Sequence, residues 1–365
     1  MSMLSRKILF PILLLVIAFT SFSQGVGIPS KKGGLGFGNL PVFTGLRFNY
    51  RDKNVEKVNG INVTIWQPKD EDDQTGTVNG ISIGLPLAMG TENRNGIGVG
   101  IFGVGAKNNL SGINLGGLGI GAGGDVKGLN IGGLGVGSGG NLVGISIGGL
   151  GVGSGGDVKG INLGGLGVGA GGNLKGFSFG AFGVGAGESV SGITIGGLGV
   201  GAGENLSGIN IGGLGVGAGE TVSGITFGGL GVGAGKELKG IAISLLATGS
   251  TKVTALVLSP ISGSQNMRGL IVSPAYMKVG YTNKSKNDGV ETREDIEGAF
   301  KGVSVSAFNH IKGDQKGVTF GIVNYTHTIK GVQFGLINIV RENPKGLRVL
   351  PLFNTRFGKK DQPTE

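Results

Sequence analysis

The sequence predicts an all-β chain: a β-solenoid of about 16-residue two-strand coils with degenerate capping repeats. Three observations carry that expectation. Gly80, Gly96, Gly112, Gly128, Gly144, Gly160, Gly176, Gly192, Gly208, Gly224 and Gly240 follow one another at a spacing of 16 without an insertion. Within each unit, such as GINLGGLGVGAGGNLK from Gly160, apolar residues alternate with Gly or small polar residues, which is a strand period. All 11 charged residues between Gly112 and Lys239 fall in the last four positions of their repeats, which marks those positions as a wet turn.

Taken in order, residues 1–24 read as a secretory signal. Arg6 and Lys7 form its basic start, Ile8 to Phe19 its apolar stretch, and Ser21 and Ser23 suit cleavage near Gln24. That stretch is too short for the roughly 20 residues of a spanning helix. Residues 25–79 are expected to form an N-terminal β cap with a polar loop. There Gly60 opens GINVTIW, Trp66 packs under the cap, and Asp70, Glu71, Asp72 and Asp73 lie in the loop. Residues 80–250 are the glycine-rich array, and residues 251–299 hold degenerate repeats and a charged loop. Residues 300–357 carry 14–15-residue repeats, and 358–365 a polar tail.

Inside one unit the apolar parity shifts at Gly164-Gly165, where two glycines suit a corner. The expected coil therefore turns Ile161, Leu163, Leu166, Val168 and Ala170 inward, and the third-position residues Asn162, Thr194, Asn210 and Thr226 outward. Gly165, Gly167, Gly169 and Gly171 would then make an outer face without side chains. That face is the candidate interaction face, continued by Gly183, Gly199 and Gly215, whereas position 181 is Ala181 and contributes none. The alternative fold is an antiparallel transmembrane β-barrel with one strand and one turn per repeat. Identical connections on both sides, an array without Trp or Tyr, and a glycine-lined lumen argue against it.

Composition narrows the chemistry. Gly at 83 of 365 is about three times average usage, and the chain has no Cys, which excludes disulfides, thiolate metal sites and a lipid-modified Cys. The net charge of +10 sits in the flanks, without the aromatic-interleaved basic stripe of a nucleic-acid binder, so no nucleic acid is expected. Runs such as GLGVGAGG recur in every repeat with no helix signal after them, unlike a phosphate loop, and no cofactor is expected. Val168 and Val216 stand where calcium-binding nonapeptide repeats need Asp. His310 and His327 lie in separate repeats and read as surface residues. No catalytic residue and no metal ligand is assigned, and the chain is not expected to be an enzyme.

The C-terminal repeats read GVTFGIVN from Gly317, GVQFGLIN from Gly331 and GLRVLPLFNTRF from Gly346. This resembles the exported glycine-rich surface-repeat proteins of Bacteroidota and spirochaetes, built from G-hydrophobic-x-hydrophobic-G-hydrophobic-x-N units. The resemblance covers residues 302–357 well and 60–111 and 240–280 loosely, and the array departs from it with Gly-Gly-Leu-Gly in place of the Asn-ending half. It implies an outer-membrane or cell-surface location, with the periplasm left open, and no established activity. The functional expectation is an exported structural or interaction protein of the cell envelope. Its rigid scaffold would use a flat glycine face for self-association or for docking an envelope partner, with membrane association left open. An outer-membrane β-barrel or pore is the alternative.

Overall fold

The computed structural model describes residues 25–287 and 290–357; the expected secretory signal (1–24) and polar tail (358–365) lie outside the described residues. The fold is a β-solenoid of about 17 turns of roughly 16 residues, so the barrel alternative is overturned. Array strands pair in parallel with the equivalent strand of the next coil, as Gly144 with Gly160 and Ile145 with Ile161, which a closed antiparallel meander cannot do. The chain divides into two compact units between Gly172 and Asn173.

In the first unit, one coil consists of a long strand, Val158–Gly164, and a short strand, Gly167–Ala170. Gly165 and Leu166 form the tight corner between them, and Gly171–Asn173 begins the second turn. The repeat-initial glycine inside the long strand has positive φ in every array coil, +118° at Gly160 and +122° at Gly144. L-residues with a side chain avoid that region. Stacking adds a second reason, because a Cβ on Gly160 would lie 2.0 Å from the carbonyl oxygen of Gly144. These glycines form a spine on which consecutive coils sit about 4.8 Å apart.

The sidedness of the coil differs from the sequence expectation. Val158, Asn162, Gly164, Val168 and Ala170 point inward, while Ile161 (44% exposed) and Leu166 (44%) point out and Leu163 is half-buried on the same outer parity as Ile161. The corner spans two residues and so preserves parity instead of reversing it. The cause is steric. A Cβ on Gly164 would stand 2.0 Å from the carbonyl oxygen of Gly167, so the two strands approach too closely there for inward Ile or Leu side chains. The third-position residues consequently form an interior column: Asn114, Asn130, Ser146 and Asn162 in the first unit are at most 1% exposed.

The second unit repeats the scheme. Ser178, Thr194, Asn210 and Thr226 are buried at the third position, between Leu174, Val190 and Leu206 on one side and Val184, Val200 and Val216 on the other. The hydroxyls of Ser178, Thr194 and Thr226 and both amide atoms of Asn210 make no hydrogen bond within the protein. A buried polar group in that state costs on the order of 1–3 kcal/mol. The same position holds Ala242, Val257 and Ile271 further along the unit, all buried. Thr194→Val and Thr226→Val are therefore expected to stabilise the protein by about 1 kcal/mol each. The denaturation midpoint checks this, and a loss of stability in both variants would show that these hydroxyls are satisfied.

Toward the C-terminus the strands run on through the second turn, as Gly231–Ser244, Ala247–Leu258 and Ile261–Val272, and Phe308–Val340 continues through the tight corner as well. The segment expected as a charged loop is a separate antiparallel hairpin, Tyr281–Asn287 with Val290–Ile296. Asn309 and the asparagines that end GIVN and GLIN form a buried amide ladder: Asn309 Nδ2 donates to Asn324 Oδ1, and Asn324 Nδ2 to Asn338 Oδ1, each at 2.7 Å. Val349–Thr355 then pairs antiparallel with the preceding strand and closes this end. At the other end of the chain, in the first unit, Val26–Ser30 pairs antiparallel with Gly33–Phe37 before the parallel stack begins. Terminal strands of reversed direction interrupt the parallel edge that would otherwise recruit further chains.

The N-terminal cap of the first unit holds a buried charge cluster. Arg47, at the third position, pairs with Asp52 and donates from Nε to Asn62 Oδ1 at 2.9 Å and from Nη1 to the carbonyl of Leu40 at 2.6 Å. Asp52 also accepts from Asn62 Nδ2 (2.8 Å) and Thr64 Oγ1 (2.9 Å). Arg94 replaces a core Val or Leu, and its Nη2 lies 3.5 Å from Asp52 Oδ2. Burial pushes both guanidinium groups below their usual range, against the opposing pull of Asp52.

Candidate interaction surface

Around one coil the outer surface changes character in a fixed order. The second and fourth repeat positions place aliphatic columns on the long strand. In the first unit these include Ile113 (43% exposed), Leu115 (39%), Ile145 (40%) and Ile161 (44%). The seventh position caps the tight corner with a ridge of Leu118, Leu134, Leu150 and Leu166, each 44–50% exposed. The second unit has its own ridge, Phe182, Leu198, Leu214 and Leu230, at 49–56%. Sequence reading missed these columns because it took every apolar residue as core. A signal existed: the third position accepts small polar residues but never a charge in the array, which suits a narrow interior column better than a solvated face.

Beyond the ridge lies the glycine floor. Gly167 and Gly169 flank the inward Val168, and a Cβ on Gly169 would touch nothing within 4 Å. In the second unit a Cβ on Gly183, Gly199 or Gly215 would meet only a carbonyl of the next coil at 3.4–3.5 Å. Gly165 and Gly171 belong to a different class. A Cβ on them would collide with Gly149 and Gly155 carbonyl oxygens at 1.8 and 2.1 Å, so they serve coil stacking and not an open surface. Ala181 occupies the position equivalent to Gly165. The floor extends in the second unit as a shallow apolar trough over Gly215, Gly217, Gly231, Gly233, Gly249 and Gly263.

Charge is confined to the remaining edge. In the first unit Lys127 pairs with Asp125 and Lys159 with Asp157, both at 2.8 Å. Backbone amides of Asp125, Asn141 and Asp157 each donate to the Oδ1 of the Asx residue one coil earlier, at 2.9–3.0 Å. The hydrogen bond from Lys127 is the main reason the Asp125 carboxyl sits below its usual range. In the second unit Lys239 (2.9 Å) and Lys252 (3.0 Å) hold the Glu237 carboxyl down in the same way. These pairs are solvated and set the wet side more than they set stability.

No family model, curated protein or solved structure matches this chain.

Two residues treated separately in the sequence come together in the second unit. His310 Nδ1 and the Tyr276 hydroxyl lie 3.0 Å apart, and the His310 and Tyr325 rings meet edge to face at 5.1 Å. Tyr325 in turn contacts His327 Nε2 (3.1 Å), and His327 Nδ1 faces Glu297 (2.8 Å). Partial burial raises the Tyr276 phenol above its ordinary range. Among the described residues no group of three or more His, Asp or Glu side chains is placed to hold a metal ion. Trp66, expected under the N-terminal cap, instead stands 39% exposed at the ridge position of its coil, because the seventh position points outward at the tight corner.

Proposed function

We propose that this protein is an exported scaffold of the cell envelope whose coils hold an uncharged docking surface. The observation that carries the reading is the confinement of all 11 array charges to the last four positions of the repeat, while aliphatic columns and a bare backbone floor occupy the other sides. Contiguous exposed apolar columns rimmed by polar residues mark interaction surfaces. The spine glycines supply rigidity, because each coil is locked to its neighbours by register-true pairing.

The test introduces charge where the backbone tolerates it. A chain carrying Gly183→Lys, Gly199→Lys and Gly215→Lys is expected to keep its β circular-dichroism spectrum and to unfold within about 1 kcal/mol of the parent. It should also pass from the envelope fraction of fractionated cells into the soluble fraction. Equal envelope retention of the variant and the parent would sink the docking reading.

A further inference from the structure

We propose that the occupant of this docking surface is the apolar interior of a lipid leaflet. The tight-corner ridge would enter the acyl region edge-on while the charged edge remains in water. The inference rests on the docking reading above and names its partner.

Three observations select lipid over a protein partner. The uncharged surface is not one face. It wraps from the Ile and Leu columns of the long strand, over the ridge, to the glycine floor on the other side, so a flat partner would cover only part of it. A fluid medium that closes around the ridge covers all of it.

The second observation is the pairing of the backbone donors at the ridge. In the first unit the ridge amides of Leu134, Leu150 and Leu166 each donate at 2.6 Å to the ridge carbonyl one coil earlier, and Gly133, Gly149 and Gly165 donate at 3.0–3.2 Å to Gly116, Gly132 and Gly148. In the second unit Leu198, Leu214 and Leu230 do the same at 2.6–2.7 Å. The N–H groups of the corner are thus paired along the stack, while the sixth-position carbonyls, such as that of Gly149, face the Cα of the equivalent glycine one coil on, Gly165. Paired donors matter in hydrocarbon, where an unpaired N–H costs several kcal/mol.

The third is the aromatic character at one end of the first unit's ridge. Trp66, the only Trp in the chain, and Phe102 (45% exposed) occupy ridge positions, and Tyr50 beside them is 58% exposed with the Arg51 guanidinium 5.1 Å from its ring centre. Amphipathic aromatic rings of this kind favour the boundary between acyl chains and headgroups.

Depth follows from the strand geometry. The fourth-position column lies about three residues, or roughly 10 Å, from the ridge apex, and interfacial elements enter a leaflet by about 5–10 Å. The ridge and the fourth-position column (Leu115, Leu163) would then be immersed, and Ile113 and Ile161 would sit at headgroup level. The association is with one leaflet and crosses no bilayer.

The experiment uses the full chain and vesicles of phosphatidylethanolamine and phosphatidylglycerol in a 3:1 ratio. Trp66 is its built-in probe. On adding vesicles, Trp66 emission is expected to shift to the blue and to be quenched by lipids brominated along their acyl chains, and the protein should float with the vesicles. Leu118→Asp, Leu134→Asp and Leu150→Asp together should lower flotation at least tenfold while the circular-dichroism spectrum is retained. If that variant misfolds, acyl-chain quenching of Trp66 in the parent still decides the matter. A parent that neither floats nor shows quenching overturns the lipid assignment, as does a folded ridge variant that floats as well as the parent. A parent that ignores vesicles but forms oligomers dissolved by the ridge charges would also overturn it, transferring the surface to a second copy and leaving the docking reading intact. A parent that is monomeric, indifferent to vesicles and released from the envelope fraction would remove both.

Discussion

Gly208→Ala is expected to destabilise the second unit by about 3–5 kcal/mol, read as a lowered midpoint of chemical denaturation. The backbone at Gly208 has φ +98°, which alone costs a side-chain-bearing residue about 1–2 kcal/mol. The remainder is steric: the added methyl would lie 2.1 Å from the Gly192 carbonyl oxygen, and neither atom can move without opening the ladder between coils. Gly201→Ala is the matched control on the glycine floor, where a Cβ has nothing within 4 Å. There the loss of unfolded-chain entropy should leave stability unchanged or raise it by roughly 0.5 kcal/mol. Equal effects at the two sites would refute the division of glycines into spine and floor. Nature has made one comparable exchange. Ala255 stands in register between Gly240 and Gly269, and its backbone does not take the positive φ of its neighbours.

The second large effect is expected at Asp52. Asp52→Asn removes the only acidic partner, among the described residues, from a cluster holding two guanidinium groups that are almost wholly shielded from solvent. Leaving buried charge uncompensated typically costs 3–5 kcal/mol, so the N-terminal cap of the variant should open well before the array, visible as early loss of amide protection over residues 42–66. Arg94→Leu should act in the opposite sense. All three guanidinium nitrogens of Arg94 lack a hydrogen bond, and Leu is the residue that Leu110 and Leu142 place in the same core column. That exchange leaves a one-to-one pair of Arg47 and Asp52 and is expected to be neutral or to stabilise by about 1–4 kcal/mol. If Asp52→Asn were tolerated within about 1 kcal/mol, the cluster would not be the anchor of the cap.

The repeat period, the presence of a corner and the wet edge were legible in the sequence because each is a local property of the chain, although the corner stands one residue later than expected, at Gly165-Leu166. A spacing of equivalent glycines fixes coil length, and charges without buried partners stay out of the interior. Which parity faces inward was not legible. Both parities of GINL offer a plausible column, Ile161 with Leu163 or Asn162 with Gly164. The choice is made by the closeness of opposing strands at the corner, a distance that no single segment encodes. The preference of aliphatic residues for the interior pointed to the wrong column because this interior is too thin to hold them on that side. Of the candidate face, Gly167, Gly169, Gly183, Gly199 and Gly215 lie on the open floor by direct alternation around a buried Val. Gly165 and Gly171 share their composition but are consumed by stacking. Arg47, Asp52 and Arg94 were unreadable as a set, since a loop residue and two different coils meet only after the cap has folded.

The spine of repeat-initial glycines also bears on how such a chain can vary through time. Because each coil's pairing involves only the coils beside it, a gene that gains or loses one whole repeat yields a protein in which every ridge, floor and edge still lines up. Its reach changes by only about 4.8 Å. An insertion that is not a whole repeat keeps the downstream glycines on their positive-φ sites where it loops out of the coil, as between Gly60 and Gly80 and between Gly269 and Gly302. Neighbouring near-identical stretches are prone to unequal recombination, so the architecture tolerates the kind of length change its own coding sequence promotes. The extent of the surface offered to a partner is thus an adjustable quantity, while its chemistry stays constant from one coil to the next.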